Sequence, residues 1–351
     1  MIAVIWGTRP EAIKLGPVVA ELEARKVPLM LFCTGQHTDL LRGTPAETDL
    51  INSRSLMMPS NGDVLRWTRV AERQLKHTLQ ELAPDLVVVQ GDTMSAVAGA
   101  RAGWALNVPV AHVEAGIRSH SPDEPWPEEG FRKEIAQLAD WHYAPTETSA
   151  ANLLQEGIPR ERVVVTGNPG ISAIARYTQA VPIPEIQTPT ILVTLHRREL
   201  LKSPDLESVI NAVGLACDEF PDLRFIWPLH PSLTVMPTPR NNLRTAKPLD
   251  YCTCVTGLPL LQGVLTDSGG LQEEAATLGV PCAVLRNVTD RPESVIAGVA
   301  QVFPRTADGV QAAVGALATG SIPRKAAPVF GDMLSASRIA THLSQLVSVV
   351  A

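Results

Sequence analysis

Aromatic side chains are scarce in this chain of 351 residues, where they make up 4% of the total against 45% for all hydrophobic residues. The core must therefore be built from Val, Leu, Ile and Ala. Charged residues make up 19%, which together with the hydrophobic content is typical of a folded globular protein and excludes a disordered one. At about 150 residues per domain, the length predicts roughly two domains.

Positive charge is not in excess either. The chain has 30 Lys and Arg against 36 Asp and Glu, for a net charge of −6. A general nucleic-acid binder needs a basic face, so the composition argues against a nucleic-acid partner. It does not exclude a small anionic ligand held by a few local cations.

Long apolar runs and patterned cysteines are also lacking. No stretch approaches 18 uninterrupted apolar residues, and the N-terminus shows no basic segment followed by an apolar one. We therefore expect no membrane span, no signal peptide and a cytoplasmic protein. The cysteines are odd in number and irregularly spaced, which predicts free thiols without a zinc knuckle; they are Cys33, Cys217, Cys252, Cys254 and Cys282.

What the sequence does contain is an alternation of apolar strands with helical patterns. In the first half the predicted strands are 2–6, 29–33, 86–89 and 108–113, and the predicted helices are 12–25, 65–82 and 95–106. A proline-rich stretch at 179–189 interrupts the pattern, which restarts with strands 191–194, 224–227, 263–266 and 282–285 and helices 208–220 and 271–278. Fully apolar strands separated by helices indicate parallel sheets covered on both faces.

We therefore predict an α/β protein with two doubly wound, Rossmann-like domains facing a central cleft. The predicted domains are residues 1–170 and 171–332. The segments 38–62 and 232–259 are rich in Pro, Asn and Thr and are predicted to be loops.

Polar residues follow most of the predicted strands. Ligands of open α/β sheets bind beyond the carboxyl ends of the strands, so these residues are candidates for a site. They are Thr8, Arg9, Glu11, Gln36, His37, Asp92, Glu114, His196, Arg197, Arg198, His230, Asp267 and Ser268.

The stretch Asp267-Ser268-Gly269-Gly270 joins a strand to a helix. Glycines there let the backbone approach a ligand, and the amides of the following helix suit a diphosphate. Glu274 lies further along that helix, where a carboxylate could bind ribose hydroxyls. The chain has no dinucleotide-binding fingerprint, no P-loop and no nucleophile elbow, so no redox cofactor is expected.

Three carboxylates in the first half are the stronger chemical indication, namely Asp92, Glu114 and Glu128. Carboxylates sharing a cleft push their pKa values apart, which yields one base and one acid. Cations that could bind phosphate or tune these carboxylates are Arg9, Lys14, Arg118 and Arg132. Paired carboxylates also fit glycoside hydrolysis or a metal site, although the lack of tight ligand spacing disfavours a metal.

Several motifs resemble those of the non-hydrolysing UDP-N-acetylglucosamine 2-epimerases, and they occur in family order. They are GTRPEAIK at 7–14, QGDT at 90–93, HVEAGIR at 112–118, PWPEE at 125–129, TLHRRE at 194–199, HP at 230–231, the segment 266–274 and RPE at 291–293. Hydrolysing relatives usually carry a glycine-rich replacement where Glu114 stands, so Glu114 favours the reversible branch.

The resemblance implies a GT-B-type fold, in which a C-terminal helix at about 333–351 crosses back to the first domain. It also implies reversible 2-epimerisation of UDP-N-acetylglucosamine to UDP-N-acetylmannosamine, or of a close analogue. UDP is eliminated in an anti sense to give 2-acetamidoglucal and is then added back. The resemblance implies acid/base roles for Asp92, Glu114 and Glu128, with His196 assisting at the diphosphate. It implies substrate-binding roles for Arg9, Lys14, Arg132, His230, Ser268, Gly269, Gly270 and Glu274, no cofactor, no metal and a homodimer.

Three positions depart from the family pattern. Thr38 replaces an arginine of a segment linked to activation by a second substrate molecule, Phe131 replaces an asparagine, and Leu200 follows the TLHRRE motif in place of Asn or Ser. These changes leave room for a modified sugar. They also leave two alternatives open: a glycosyltransferase that uses a UDP-sugar, and a UDP-sugar-binding protein without catalysis.

Overall fold

The computed structural model describes residues 1–35, 45–56, 63–178 and 187–348. They form two compact units, one containing Met1–Tyr177 and Phe330–Ala351 and the other containing Thr178–Val329. Each unit is built on one parallel β-sheet, so the predicted α/β class with two parallel-sheet domains is confirmed.

The first unit has a seven-stranded sheet in the order β3-β2-β1-β4-β5-β6-β7. Its strands are β1 (Ile2–Trp6), β2 (Leu29–Cys33), β3 (Arg54–Ser55), β4 (Leu86–Gln90), β5 (Val110–Val113), β6 (Trp141–Ala144) and β7 (Val163–Val165). Every residue of β1 and β4 is buried, because helices cover both faces of the sheet and leave only apolar side chains acceptable there.

The helices of this unit are α1 (Arg9–Ala24), α2 (Pro45–Asp49), α3 (Val64–Leu82), α4 (Met94–Ala105), α5 (Glu128–Leu138), α6 (Glu147–Gln155) and α7 (Pro169–Tyr177). Helix α1 begins three residues before the predicted start at residue 12, because Thr8 caps it and Glu11 closes a capping box. Helix α7 packs against α1, so this unit continues to Tyr177 and the predicted boundary at residue 170 falls inside a helix.

The second unit has a six-stranded sheet in the order β10-β9-β8-β11-β12-β13. Its strands are β8 (Thr190–Thr194), β9 (Arg224–Pro228), β10 (Leu243–Ala246), β11 (Gly263–Thr266), β12 (Cys282–Leu285) and β13 (Ala300–Phe303). Its helices are α8 (Arg198–Leu201), α9 (Leu206–Glu219), α10 (Tyr251–Gly257), α11 (Gly269–Leu278), α12 (Pro292–Ile296) and α13 (Ala307–Thr319). Trp227 and Phe225 of β9 are fully buried and contribute much of the aromatic volume of its core.

Both predicted loop segments contain regular structure. Within 232–259 lie the edge strand β10 and helix α10, and within 38–62 lie α2 and β3. The prediction was wrong there because an edge strand with exposed polar residues lacks the apolar run of a central strand. The predicted loop residues 38–44 and 57–62 lie outside the described residues, as does most of the proline-rich stretch at 179–189.

The last helix of the chain, α14 (Ser335–Ser348), belongs to the first unit and packs against α1 and α7. Ser172 of α7 fixes its start, since the hydroxyl donates to the carbonyl of Met333 at 2.9 Å and accepts from the amide of Ala336 at 3.0 Å. Among the described residues, no helix has both the length and the apolar character needed to cross a membrane.

The strand orders locate the expected ligand sites. In the first unit the direction of sheet growth reverses between β1 and β4, and in the second it reverses between β8 and β11. Loops that leave two strands on either side of such a switch point diverge and open a crevice at the carboxyl ends of the strands. Each unit is therefore expected to bind ligand in the loops after these strands.

Candidate functional site

The loop after β1 is fixed by a buried carboxylate, Glu11. Its Oε2 accepts hydrogen bonds from the amide of Gly7 at 3.0 Å and from the amide and hydroxyl of Thr8 at 2.7 Å each. Its Oε1 accepts from the hydroxyl of Thr93 at 2.7 Å. Burial raises the pKa of Glu11 to about 7, against the effect of these hydrogen bonds. Glu11 thus joins the loop after β1 to the residue that follows Asp92.

Glu114 forms a buried ion pair at the end of β5. Lys14 Nζ lies 2.5 Å from Glu114 Oε2, and the same oxygen accepts a hydrogen bond from the side-chain amide of Gln90. The backbone of Glu114 has a φ of 65°, a left-handed conformation that is uncommon outside glycine and is found at functional sites. Residues from α1, β4 and the loop after β5 therefore meet at this carboxylate.

Asp92 lies in the loop after β4 and is clamped by an arginine from helix α5. Both Nε and Nη2 of Arg132 lie 2.7 Å from Asp92 Oδ2. The opposite side of the guanidinium contacts Glu129, with Nη1 at 3.2 Å from Oε2. Asp92 remains partly exposed whereas Arg132 is buried. A ligand can therefore reach the carboxylate of Asp92, while Glu129 holds the guanidinium of Arg132 on its buried side.

Two other predicted residues lie at helix N-termini in this unit. Arg9 is the first residue of α1 and Glu128 is the first residue of α5, and both are half-buried. Glu128 follows a proline-rich turn that contains the two cis bonds Glu124–Pro125 and Trp126–Pro127. Arg132 comes one turn after Glu128, so these two side chains share a face of α5.

Arg118, a cation predicted to bind phosphate or to tune the carboxylates, forms an ion pair with a different carboxylate. Its guanidinium is buried and makes a two-bond ion pair with Glu156 at the end of α6, with Nε–Oε1 and Nη2–Oε2 distances of 2.7 Å each. Nη1 donates to the carbonyl of Ile117 at 2.8 Å. This two-bond ion pair holds the loop after β5 against α6.

His112 on β5 supports the backbone next to Asp92. Its Nε2 lies 2.8 Å from the carbonyl oxygen of Gly91, and its Nδ1 is buried without a hydrogen-bond partner in the described part of the chain. Burial lowers the pKa of His112 to about 3, so the ring is neutral at pH 7 and donates its Nε2 proton to that carbonyl.

The depressed pKa of His112 predicts a pH-dependent stability. Between pH 6.5 and about 3 the unfolded chain binds a proton at this ring that the folded chain does not. Stability is therefore lost as the pH falls below 6.5, by up to about 1.4 kcal/mol per pH unit. In His112→Gln, which keeps an N–H donor but does not titrate, urea unfolding between pH 6.5 and 4 should depend less steeply on pH. The exposed His77→Gln control should keep the wild-type slope.

In the second unit, Asp267 organises the loop after β8. This fully buried carboxylate accepts hydrogen bonds from the amide of His196 at 2.9 Å and from the amide of Arg197 at 2.8 Å. It also lies 3.2 Å from Nδ1 of His196. The His196 ring is 38% exposed and stacks on His230, with ring centroids 5.9 Å apart. Asp267 thus orients His196 while its Nε2 edge is left to face a ligand.

The N-terminus of α11 follows Asp267. Ser268 caps the helix by accepting from the amide of Leu271 at 3.4 Å. A Cβ on Gly269 would lie 3.4 Å from the Arg291 guanidinium and 3.5 Å from that of Arg197, whereas a Cβ on Gly270 would meet nothing within 4 Å. Two guanidinium groups beside the positive end of a helix form a setting for an anion.

Arg291 is held in place by a carboxylate that the sequence analysis did not select. Glu273 is buried and bonds Nε of Arg291, and Asp290 lies 3.2 Å from Nη1. The predicted ribose ligand, Glu274, is half-buried at the next position of α11. Adjacent helical residues point about 100° apart, so Glu273 and Glu274 point in different directions. The sequence alone does not show which of the two side chains faces the protein interior.

The structure thus collects the predicted residues at two switch points. In the first unit Lys14 bonds Glu114 and Arg132 bonds Asp92, as two separate pairs. In the second unit His196 contacts both Asp267 and His230. Glu129 and Glu273 contact predicted or motif arginines but were not themselves predicted as site residues. For Glu129, the i, i+3 spacing from Arg132 would have indicated the contact. Gln36, His37 and Thr38 lie outside the described residues.

The described residues contain neither a metal-binding cluster nor a disulfide. Among residues 1–35, 45–56, 63–178 and 187–348, no group of three His, Cys, Asp or Glu side chains is arranged to hold a metal ion. None of the five cysteines, all of which lie in the described residues, forms a disulfide, and four of them are buried. Burial raises the pKa of Cys33 to about 11 and that of Cys282 to about 12, so these thiols are poor nucleophiles.

Comparison with known proteins identifies relatives over almost the whole chain. The family model described as UDP-N-acetylglucosamine 2-epimerase matches residues 20–344. The UDP-N-acetylglucosamine 2-epimerase of Escherichia coli K12 is 34% identical over 324 residues, which cover 86% of each chain. A co-structure of S. aureus MnaA with UDP superimposes with a TM-score of 0.92 at 34% identity, covering 99% of this chain and 96% of the other. The Neisseria meningitidis UDP-GlcNAc 2-epimerase bound to UDP-GlcNAc gives a TM-score of 0.89 at 30% identity, with 98% and 99% covered.

Proposed function

Because the chain belongs to the UDP-N-acetylglucosamine 2-epimerase family and is an epimerase, we propose that it interconverts UDP-N-acetylglucosamine and UDP-N-acetylmannosamine, or a closely related pair of UDP-linked N-acetylhexosamines. The observation that carries the proposal is that Asp92 and Glu114 each contact a cation at the switch point of one α/β unit. Carboxylates in this setting are suited to acid/base chemistry on a sugar.

The proposed mechanism explains why several acid/base groups are needed. The proton on carbon 2 of the sugar is too weakly acidic for simple removal, so UDP leaves in an anti elimination that produces 2-acetamidoglucal. Reprotonation on the other face and re-addition of UDP complete the inversion. Asp92, Glu114 and Glu128 are the proposed acid/base residues, and Lys14 and Arg132 hold two of them in place.

The second unit has the proposed role of binding the nucleotide and stabilising its departure. Ser268, Gly269 and Gly270, at the N-terminus of α11, would donate hydrogen bonds to the diphosphate. His196 would stabilise charge on the leaving group, with His230 stacked against it. Arg9, which belongs to α1 of the first unit, has the same proposed role. Glu274 would bind the ribose hydroxyls.

Two departures from the family pattern concern packing. Phe131 is buried in the core of the first unit, beside Trp67 and Ile135. Leu200 is fully buried in the core of the second unit, with Leu195 and Leu206. Both side chains are buried in apolar cores, and neither takes part in the polar contacts described at the two switch points. This favours an active enzyme over a binding protein that has lost catalysis.

Proton NMR of UDP-N-acetylglucosamine with the enzyme in deuterated water tests the proposal. We expect the carbon-2 proton to be replaced by deuterium in both epimers, because elimination removes that proton and solvent returns another. Absence of exchange with every UDP-N-acetylhexosamine tried would refute the reaction. Transfer of the sugar to an added acceptor, with no epimer formed, would instead support a glycosyltransferase.

We also infer from the family resemblance that the enzyme acts as a homodimer. Light scattering of the purified protein measures this directly, since a dimer has twice the monomer mass. A mass that stays at the monomer value under assay conditions would contradict it.

A further inference from the structure

We propose that Glu129 is a positioning residue for the reaction: it holds Arg132 and shares the charge of its guanidinium, and so sets how tightly Asp92 binds a proton. This inference rests on the proposed acid/base role of Asp92. Glu129 lies in the PWPEE motif at 125–129, but it was not among the predicted acid/base or substrate-binding residues.

Glu129, Arg132 and Asp92 form a line of decreasing burial. Their side chains are 1%, 6% and 27% exposed. Glu129 and Arg132 are three positions apart on α5 and so lie on one face of the helix. The guanidinium uses Nη1 for Glu129, at 3.2 Å, and uses Nε and Nη2 for Asp92, at 2.7 Å each. The buried Glu129 therefore orients the guanidinium of Arg132, which in turn contacts the more exposed Asp92.

The bonding of Glu129 is uneven in a way that stability alone does not explain. Its Oε2 accepts both from Arg132 and from the amide of Ser119, the latter at 3.1 Å. Its Oε1 is buried and has no hydrogen-bond partner among the residues that the structure describes. A buried oxygen of this kind is unfavourable and calls for a reason. We take the reason to be the charge of the carboxylate.

That charge matters because Arg132 lies between two carboxylates. A cation paired with Asp92 alone would stabilise its ionised form and weaken it as a base. A second carboxylate on the same guanidinium offsets this effect, so Asp92 keeps a stronger affinity for a proton. Acid/base catalysis is most efficient when that affinity matches the working pH.

Other titratable groups near Asp92 come from the elements around it. His112 of β5 bonds the carbonyl of Gly91, Glu11 of α1 bonds the hydroxyl of Thr93, and Glu114 bonds the side chain of Gln90. None of the three contacts Glu129 in the hydrogen bonds that hold this carboxylate. They remain unchanged when Glu129 alone is replaced, so a changed titration reports on Glu129.

The test uses Glu129→Gln in the full-length protein, because glutamine keeps an acceptor oxygen and removes the charge. We expect the acid limb of the pH–kcat profile to move down by about one pH unit and kcat at the wild-type optimum to fall about tenfold, with KM within about twofold. Glu134→Gln is the matched control: it lies on the same helix and bonds Arg101 Nε at 2.5 Å, and it should leave the profile unchanged. Glu129→Asp, which retains the charge, should restore the wild-type limb.

A second measurement does not depend on turnover. Carbon-13 NMR of the Asp92 carboxyl, assigned by its loss in Asp92→Asn, should give a titration midpoint that falls in Glu129→Gln. If Glu129→Gln does not fold, Arg132→Gln should shift the midpoint in the opposite direction, because the cation is removed. An unmoved midpoint in the folded variants overturns the inference while leaving the epimerase proposal intact. A moved midpoint in a protein that shows no epimerisation refutes the proposed function alone.

Discussion

Asp92→Asn is expected to lower the rate of epimerisation by about 10²–10⁴-fold, the range for loss of a general acid or base. Asparagine matches the shape of the carboxyl but neither takes nor gives a proton. Glu129 still holds Arg132 in the variant, so the loop should keep its conformation. Binding of UDP should be unchanged, because the substitution replaces none of the proposed diphosphate residues. Deuterium exchange at carbon 2 and calorimetric titration with UDP measure the two effects separately.

Asp63→Asn is the matched control for this variant. Asp63 is the N-cap of α3 and accepts from the amide of Arg66 at 2.8 Å. Asparagine caps helices as well as aspartate does, so activity and stability should both stay at wild-type values. Full activity in Asp92→Asn would remove this residue from the mechanism. Loss of UDP binding would show that the change disturbs more than proton transfer.

Asp267→Asn should affect both stability and nucleotide binding. The carboxylate accepts from the amides of two successive residues, His196 and Arg197. Both amides bond Oδ2, so the carbonyl oxygen of asparagine can keep the two bonds only as weaker, uncharged ones, and its NH₂ group then replaces the oxygen that faces Nδ1 of His196. A hydrogen bond to a charged group contributes about 1.5–3 kcal/mol. We expect the free energy of unfolding to fall by about that amount. The affinity for UDP should fall about tenfold, because His196 and Arg197 lose their fixed positions.

Asp250→Asn in the same unit provides the comparison for Asp267→Asn. Asp250 also accepts from a backbone amide, that of Thr253 at 2.9 Å, but it is exposed at the N-terminus of α10. Its replacement should change the unfolding free energy by only a few tenths of a kcal/mol, as expected for exchange between good N-caps. Urea denaturation measures the unfolding free energy of both variants, and titration with UDP measures their affinity for the nucleotide. Equal losses in the two variants would mean that Asp267 is an ordinary cap.

Several elements followed directly from local sequence. The strands Ile2–Trp6 and Leu29–Cys33 have the predicted bounds. A short, continuous apolar run between turn residues is typical of a buried strand. The predictions gave no strands between residues 114 and 178, where β6 and β7 occur. These strands have only four and three residues, and β6 includes a histidine. Such short segments take their conformation from pairing with the sheet more than from their own composition.

The roles of neighbouring glutamates show a second limit. Glu128 and Glu129 are identical side chains at adjacent positions, as are Glu273 and Glu274. In each pair one carboxylate is buried against an arginine and the other is half-buried. Which member faces the arginine depends on the rotation of the helix against its neighbours, and that rotation is set by packing across the sheet.

The sequence by itself determined that this protein has two parallel α/β units with polar residues at the strand ends and a diphosphate-suited glycine turn, since these are local patterns of apolar spacing and turn chemistry. Only the tertiary structure decided the partners of those residues. Lys14 meets Glu114, Arg132 joins Asp92 to Glu129, and Arg118 turns away to Glu156. The physical reason is that an ion pair needs its two charges within about 4 Å, and only the order of strands in the sheet brings distant segments that close.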